Sequence, residues 1–167
     1  RRHHKYSDTE KDPHSPEYSK NIIMLNINTV KHYESVRRNK KDYSKYDYNV
    51  PRWESLEKFS DYLITRAAFI ALYTLIYVTY STSPWQYMLL PIHFVMGPLH
   101  GSIVNWCGHR YGYVNHKKTN DKSKNTIPFD FLMMGELFQN NHHWKPKSIN
   151  FSSRWFEIDP GFLITKI

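Results

Sequence analysis

Ten histidines occur in this chain of 167 residues, and half of them fall into groups that could bind a metal ion. Two groups are adjacent pairs, and a third combines an amide and an imidazole four residues apart, a spacing that puts both on one helix face. A glutamine, Gln139, lies three residues before the second pair. The candidate ligands are therefore His3, His4, Asn105, His109, Gln139, His142 and His143. Neutral imidazole suits divalent iron, copper or zinc, so this pattern predicts a histidine-rich metal centre.

The composition excludes other kinds of metal site. Cys107 is the only cysteine, which rules out an internal disulfide framework and a thiolate-rich zinc site. No HExxH motif occurs, whereas zinc hydrolases usually carry one or a compact set of three ligands. What remains is a centre that draws imidazoles from separated segments, and such a centre can bind more than one metal ion.

Two long apolar segments are the elements that must position these groups. From Ala67 to His109 the sequence has no Asp, Glu, Lys or Arg. A helical crossing of a membrane needs about 20 apolar residues, so this block is too long for one crossing and long enough for two. We predict membrane-spanning helices over residues 62–80 and 85–107, joined as a hairpin by a turn at residues 81–84. A buried helical hairpin in a large soluble protein is the alternative.

The charges predict on which side of the membrane the histidines lie. The chain has 23 Lys and Arg against 15 Asp and Glu, and the turn between the two apolar segments has none of them. The positive-inside rule then places residues 1–60 and 108–167 in the cytoplasm, with all three histidine groups. This topology explains the net charge of +8, and no nucleic-acid motif accompanies it, so we expect no nucleic acid as a partner. Histidine-bound iron at a membrane surface indicates oxygen chemistry on a lipophilic substrate.

Two further segments are less informative. Residues 31–58 are charged and rich in Tyr, which is typical of an amphipathic cytoplasmic connection or of a solvated linker. Residues 127–138, IPFDFLMMGELF, are apolar but too short to span a membrane, and they are a candidate for the membrane–water interface.

Three stretches resemble the membrane fatty acid desaturases of the acyl-CoA delta-9 (stearoyl-CoA desaturase-like) type. Residues 3–14, HHKYSDTEKDPH, resemble the end of the second histidine box of that family, H-x-x-H-H, and the segment after it. Residues 105–113, NWCGHRYGY, resemble its N-x-x-x-H-x-x-G-Y junction, and residues 135–143, GELFQNNHH, its third box, G-E-x-x-H-N-x-H-H. Arg154-Trp155 and Ile158-Asp159 match the segment that follows the third box.

The resemblance implies an all-helical integral-membrane fold and a diiron centre. Residues 1–167 would be part of a desaturase domain, with the third and fourth of four spans and a cytoplasmic helical cap carrying the boxes. Two iron ions would be bound by His3, His4, His109, His142 and His143, by Asn105 through a water, and by Gln139 as a further candidate. The residues expected to support these ligands are Asp8, Asp12, His14 and Glu136.

The family's activity is the removal of two hydrogens from an acyl chain by dioxygen and two electrons, which leaves a cis double bond, here expected at the delta-9 position. The implied partners are a long-chain acyl substrate on CoA, acyl carrier protein or lipid, an electron donor of cytochrome b5 or ferredoxin type, and membrane lipid. The expected location is a bacterial inner membrane. Small residues in the second span predict an acyl path along Gly97, Ser102 and Trp106, with close helix packing as the alternative.

Three departures from the family pattern leave other functions open. The first box, H-x-x-x-x-H, and its two spans are absent, and the leading His of the second box would fall before Arg1. We therefore expect a fragment with too few ligands for the diiron centre by itself. Gln139 stands where the third box begins with His. The alternatives are a lipid hydroxylase or alkane-type monooxygenase, and a non-catalytic membrane metal-binding protein derived from a desaturase.

Overall fold

The computed structural model describes residues 1–39, 43–46 and 51–166. Within these ranges the regular elements are helices, accompanied by three isolated β-bridges, which confirms the all-helical prediction for this part of the chain. The α-helices are α1 (Arg2–Tyr6), α2 (Ile22–Arg38), α3 (Glu54–Asp61), α4 (Leu63–Tyr80), α5 (Leu89–Arg110), α6 (Gln139–Trp144) and α7 (Pro160–Thr165).

The chain divides into two compact units. The first comprises Arg1–Tyr46 and Pro98–Ile167, and the second comprises Asp47–Gly97. The first unit thus contains all three histidine groups, and α5 enters it at Pro98. The predicted connection over residues 31–58 begins as the end of α2, and residues 40–42 and 47–50 of it lie outside the described residues.

Among the described residues, two helical segments, Leu63–Tyr80 and Pro84–Arg110, are long and apolar enough to cross a membrane. Only 6% and 11% of the residues in their most apolar windows are buried inside the structure, whereas the core helix of a soluble protein would be mostly buried. The predicted spans over residues 62–80 and 85–107 coincide with them to within a few residues. Because α5 continues to Arg110, both Asn105 and His109 lie on its last turns.

Local sequence explains where the second of these segments begins. Ser83 and Gln86 form a capping box, and Pro84 stands at the first helical position, where a missing N–H costs nothing. In the second unit, the Tyr77 hydroxyl on α4 lies 2.8 Å from Nε2 of His93 on α5. Pro98 lies inside α5, and the helix continues through it.

Glu157 lies at the centre of a buried polar network in the first unit. Its side chain is 6% exposed, and its carboxylate accepts hydrogen bonds from both side chains and backbone N–H groups. The donors are the side chains of Tyr113, Asn115, Asn125 and Asn141 and the backbone N–H groups of Ser153 and Arg154. Burial by itself raises the pKa of the Glu157 carboxyl, but these hydrogen bonds outweigh it and lower the pKa below its usual value.

We predict that Glu157→Gln lowers the free energy of unfolding by about 1–3 kcal/mol. The substitution replaces one carboxylate oxygen by an N–H₂ group, so the buried donors that bind this oxygen lose their acceptor. Thermal unfolding of the protein in detergent measures this. The exposed Glu10 provides the matched control, and Glu10→Gln should leave the midpoint unchanged.

The same network predicts how stability depends on pH. Because the folded-state pKa of Glu157 lies below the unfolded value of about 4.3, its contribution is present above that pH and is lost as the pH falls through the folded-state pKa. The difference in stability between the wild type and Glu157→Gln should therefore shrink in acid. A difference that stays constant from about pH 7 down to about pH 3 would contradict this account.

Candidate metal centre

The first two histidines lie on α1, and the loop after this helix folds back on it. The Asp12 carboxylate accepts a hydrogen bond from Nδ1 of His3 at 2.9 Å. It also accepts the backbone N–H groups of Asp8 and His14, at 3.0 and 2.9 Å. Asp12 therefore determines both the path of this loop and the orientation of the His3 ring.

His109, on the last turn of α5, has the same kind of partner. Its Nδ1 lies 2.9 Å from Oδ2 of Asp8, which is 101 positions earlier in the chain. The same oxygen accepts the backbone N–H of Lys122 at 2.7 Å. Asp8 has a φ of 57°, in the left-handed region that Asp tolerates better than most residues. One carboxylate thus connects the N-terminal loop, the end of α5 and the loop that contains Lys122.

His143, on α6, is paired with Asp121. The Asp121 carboxylate accepts a hydrogen bond from His143 Nδ1 and two more from the backbone N–H and hydroxyl of Ser123. Burial by itself raises the pKa of Asp121, but these hydrogen bonds lower it well below its usual value. Asp121 therefore remains an anion and fixes the tautomer of His143.

These three pairings leave one ring nitrogen of each histidine directed at a common centre. One candidate ligand atom from each of His3, His109 and His143 lies within 4.8 Å of the other two. In all three residues Nε2 is buried and has no hydrogen-bond partner among the described residues. A histidine that donates Nδ1–H to a carboxylate presents a neutral, basic Nε2, which is the usual form of a metal ligand. The donor set therefore fits a divalent transition metal.

A second pair of imidazoles lies beside this trio. The Nε2 atoms of His4 and His142 are 3.1 Å apart, and the centroid of the His4 ring is 4.6 Å from that of His143. Burial, followed by the neighbouring histidines, lowers the pKa of His4 to about 3 and that of His142 to about 4. Both rings are thus neutral near pH 7 and can act as ligands. All five predicted imidazoles are gathered in one place.

The two amide side chains of the predicted ligand set make local contacts. Asn105 Nδ2 donates to the Gly101 carbonyl at 2.8 Å, and Gln139 Nε2 donates to the Glu136 carbonyl at 2.8 Å. Gln139 is buried and packs on Gly108 so closely that a Cβ at Gly108 would overlap the Gln139 side chain. The start of α6 is therefore in direct contact with the last turn of α5.

The residues expected to support the ligands have different placements. Asp8 and Asp12 bind His109 and His3 directly, and His14 lies behind them with its Nδ1 3.0 Å from the Thr29 hydroxyl. Glu136 lies at the surface, and the carboxylate that contacts His143 is Asp121, which the sequence analysis missed. The only sequence signal for Asp121 is a carboxylate two residues before Ser123 in a polar loop, which is typical of an ordinary turn.

The residues of the predicted acyl path lie along α5. A Cβ added at Gly97 or at Gly101 would meet no atom within 4 Å. Ser102 is buried, and its hydroxyl has no hydrogen-bond partner among the described residues. The Arg110 guanidinium carbon lies 4.1 Å from the centre of the Trp106 ring.

Comparison with known proteins identifies the family. The family model described as fatty acid desaturase matches residues 1–157. The chain belongs to the fatty acid desaturase family. This confirms the resemblance found in the histidine boxes.

Several desaturases are similar to this chain over most of its length. The sn-1 stearoyl-lipid 9-desaturase of Synechocystis is 26% identical, over 99% of this chain and 49% of its own length. The enzyme of the same name from Anabaena variabilis is 24% identical, over 99% of this chain and 57% of its own length. The acyl-CoA Delta(11) desaturase of Choristoneura rosaceana is 29% identical, over 87% of this chain and 44% of its own length. The chain spans about half the length of these relatives. No solved structure matches it.

The pairing of His143 with Asp121 makes a prediction about metal affinity. Asp121→Asn removes the anionic acceptor of His143 Nδ1–H, so Nε2 becomes less basic and its tautomer is no longer fixed. We expect the affinity for Fe²⁺ or Co²⁺ to fall by about 10- to 100-fold, as measured by titration of the purified full-length protein.

The adjacent Lys122 provides the control for this experiment. Its exposed side chain binds Glu17, so Lys122→Gln keeps the backbone N–H that contacts Asp8 and should bind metal as the wild type does. Wild-type affinity in a folded Asp121→Asn protein would contradict a role for this carboxylate in the metal centre.

Proposed function

We propose that this chain is the C-terminal part of an integral-membrane diiron acyl desaturase that forms a cis double bond, at the delta-9 position, in a long-chain acyl group. The observation that carries the proposal is the convergence of His3, His109 and His143, each of which has Nδ1 bound to a carboxylate and a buried Nε2 without a hydrogen-bond partner among the described residues. Membership of the desaturase family and the names of the relatives support the reaction and the class of substrate.

We assign His3, His109 and His143 to one iron ion and His4 and His142 to the other. Asn105 would contribute through a bound water, and Gln139 through its amide oxygen. When bound, the two iron ions would activate dioxygen for the oxidation of the acyl chain. In the overall reaction, dioxygen, two hydrogens of the acyl chain, two electrons and two protons give two water molecules and the double bond.

The protein's own contribution is to orient the imidazoles and to bury them. Asp8, Asp12 and Asp121 hold the Nδ1 protons, so that each Nε2 lone pair is available at the centre. His14 supports this arrangement through its backbone N–H, which positions the Asp12 carboxylate. Because the pKa values of His4 and His142 lie near 3 and 4, protons do not compete with metal ions for these two imidazoles near pH 7.

The acyl chain would approach the irons along α5. Gly97 and Gly101 leave open space beside the helix, and Ser102 and Trp106 follow on the way to His109. An apolar chain in this position would exclude water from the reacting carbons and so protect the oxidising species from side reactions. The carrier would be CoA, acyl carrier protein or lipid.

The topology of the proposal follows from charge and hydropathy. We propose that α4 and α5 form a membrane hairpin, the third and fourth spans of a four-span protein in a bacterial inner membrane, with residues 1–60 and 108–167 in the cytoplasm. The first histidine box and first two spans would belong to the remainder of the protein. The basic cytoplasmic flanks suit an acidic electron donor of cytochrome b5 or ferredoxin type.

Expression of the full-length protein in a host that lacks desaturases tests the proposal. The lipids should gain cis-monounsaturated chains with the double bond at carbon 9, located by mass spectrometry of derivatised esters, and the protein should contain two irons. His142→Ala and His143→Ala should each reduce the unsaturated fraction to that of the empty host, because each removes a ligand.

The control is His32→Gln, a half-buried histidine on α2 that the proposal does not assign to the irons, and this variant should retain activity. An alcohol product would indicate a hydroxylase instead. An iron-free protein with unchanged host lipids would contradict both activities.

A further inference from the structure

The first unit exposes large apolar side chains on two segments that are far apart in the sequence. Leu132 is 87% exposed and Trp155 is 94% exposed. We define the apolar loop surface by six exposed side chains, namely Phe129, Phe131, Leu132, Trp155, Leu163 and Ile164. Exposed side chains of this size in two segments are more than the scattered single residues of an ordinary soluble surface.

The two segments lie side by side and are closely packed. Phe129 and Ile158 form a parallel β-bridge, in which the Ile158 N–H donates to the Pro128 carbonyl at 3.1 Å. Further along, Gly161 approaches the Met134 carbonyl so closely that a side chain there would overlap it. The exposed residues of the two segments therefore belong to one packed substructure.

The first segment satisfies backbone N–H groups with an acceptor from within the protein. Asp130 is fully buried, and its carboxylate accepts the backbone N–H groups of Met133, Gly135 and Leu137 at 2.8, 3.1 and 2.9 Å. Near lipid, an unsatisfied backbone donor costs several kcal/mol, so non-helical backbone is tolerated only where the protein itself supplies the acceptors. One buried carboxylate does so here, while the apolar side chains point outward.

The charges around the surface have one predominant sign. The carboxylates of Asp130, Glu157 and Asp159 are buried and bind backbone N–H groups. The C-terminal segment exposes four cations, Lys145, Lys147, Arg154 and Lys166, and the first segment exposes one carboxylate, Glu136. Basic side chains at the rim of an apolar surface complement anionic lipid headgroups.

The position of this loop along α5 also indicates lipid. Lys124 donates its N–H to the Gly108 carbonyl, so the chain starts beside the last turn of α5. Farther along the chain, the Gln139 side chain packs on Gly108 of the same turn. The loop therefore leaves and returns at the end of α5, which is also the end of its apolar segment.

We propose that the apolar loop surface is a second membrane contact, inserted among the lipid headgroups and upper acyl chains of the bilayer that α5 crosses. The proposal rests on the membrane-spanning part of the proposed function. The occupant is lipid, and a surface covered by the remainder of the full-length protein is the alternative that the test distinguishes. The contact would anchor the segment that leads directly into α6, and so it would hold the third histidine group at a constant height above the bilayer.

The test measures the depth of a fluorophore in the full-length protein, reconstituted as one copy per nanodisc with phosphatidylcholine and phosphatidylglycerol. Cys107 and every cysteine in the rest of the full-length protein are first replaced by Ala, and an environment-sensitive probe is attached to a single cysteine at Leu132, Trp155, Val78 or Lys118. Val78, exposed on α4, is the reference for lipid, and the exposed Lys118 is the reference for water. Lipids brominated at shallow acyl carbons quench only probes that contact them.

The expected result is a blue-shifted emission at Leu132 and Trp155 and a loss of emission comparable with that at Val78 and several-fold larger than that at Lys118. Probes at Leu132 and Trp155 that behave like Lys118, with Val78 quenched, would overturn this inference and leave the proposed function intact. A blue shift without quenching would indicate a protein-covered surface and would also overturn it. An unquenched Val78 would defeat the membrane assignment itself, and the inference with it.

Discussion

The pairing of imidazole Nδ1 with aspartate is the interaction on which the rest of the first unit depends. Each of His3, His109 and His143 has one such partner, which leaves its Nε2 buried and unbound, and one ligand atom from each ring lies within 4.8 Å of the other two. The partners are distributed so that they also connect separate parts of the chain, since Asp8 joins the N-terminal loop to α5 and to the backbone of Lys122. The fold and the candidate metal centre are therefore stabilised by the same hydrogen bonds.

This arrangement suits a unit whose interior is mostly polar. Among the described residues, the buried hydrophobic side chains are Leu25, Val104, Leu137 and Phe138. Around α6 the contacts are made by amides and carboxylates, with Asn140 and Asn141 binding the segments on either side. Hydrogen bonds have preferred angles and apolar contacts do not, so a polar interior determines the orientation of a short helix more narrowly than an apolar one would. A six-residue helix could not orient His142 and His143 by itself.

The sequence predicted the two apolar helices to within a few residues, and it found the five imidazoles that the structure gathers. It did not find Asp121, and the supporting role that it predicts for Glu136 stays a prediction. Asp8 and Asp12 could be chosen because they follow His3 and His4 closely in a distinctive stretch. Asp121 lies in a lysine-rich loop, 22 positions before His143, and nothing in the local pattern distinguishes it from the other carboxylates after α5.

The sequence by itself determined the helical character, the membrane-length segments and the kinds of side chain available for a metal, because length, charge and residue type are local properties. Only the tertiary structure decided which nitrogen of each histidine faces the centre and which carboxylate lies behind it. The contacts of residue 8 with residue 109, and of residue 121 with residue 143, depend on the paths of loops. Those paths are set by many hydrogen bonds between residues that are far apart in the sequence. Short-range sequence preferences do not encode such contacts.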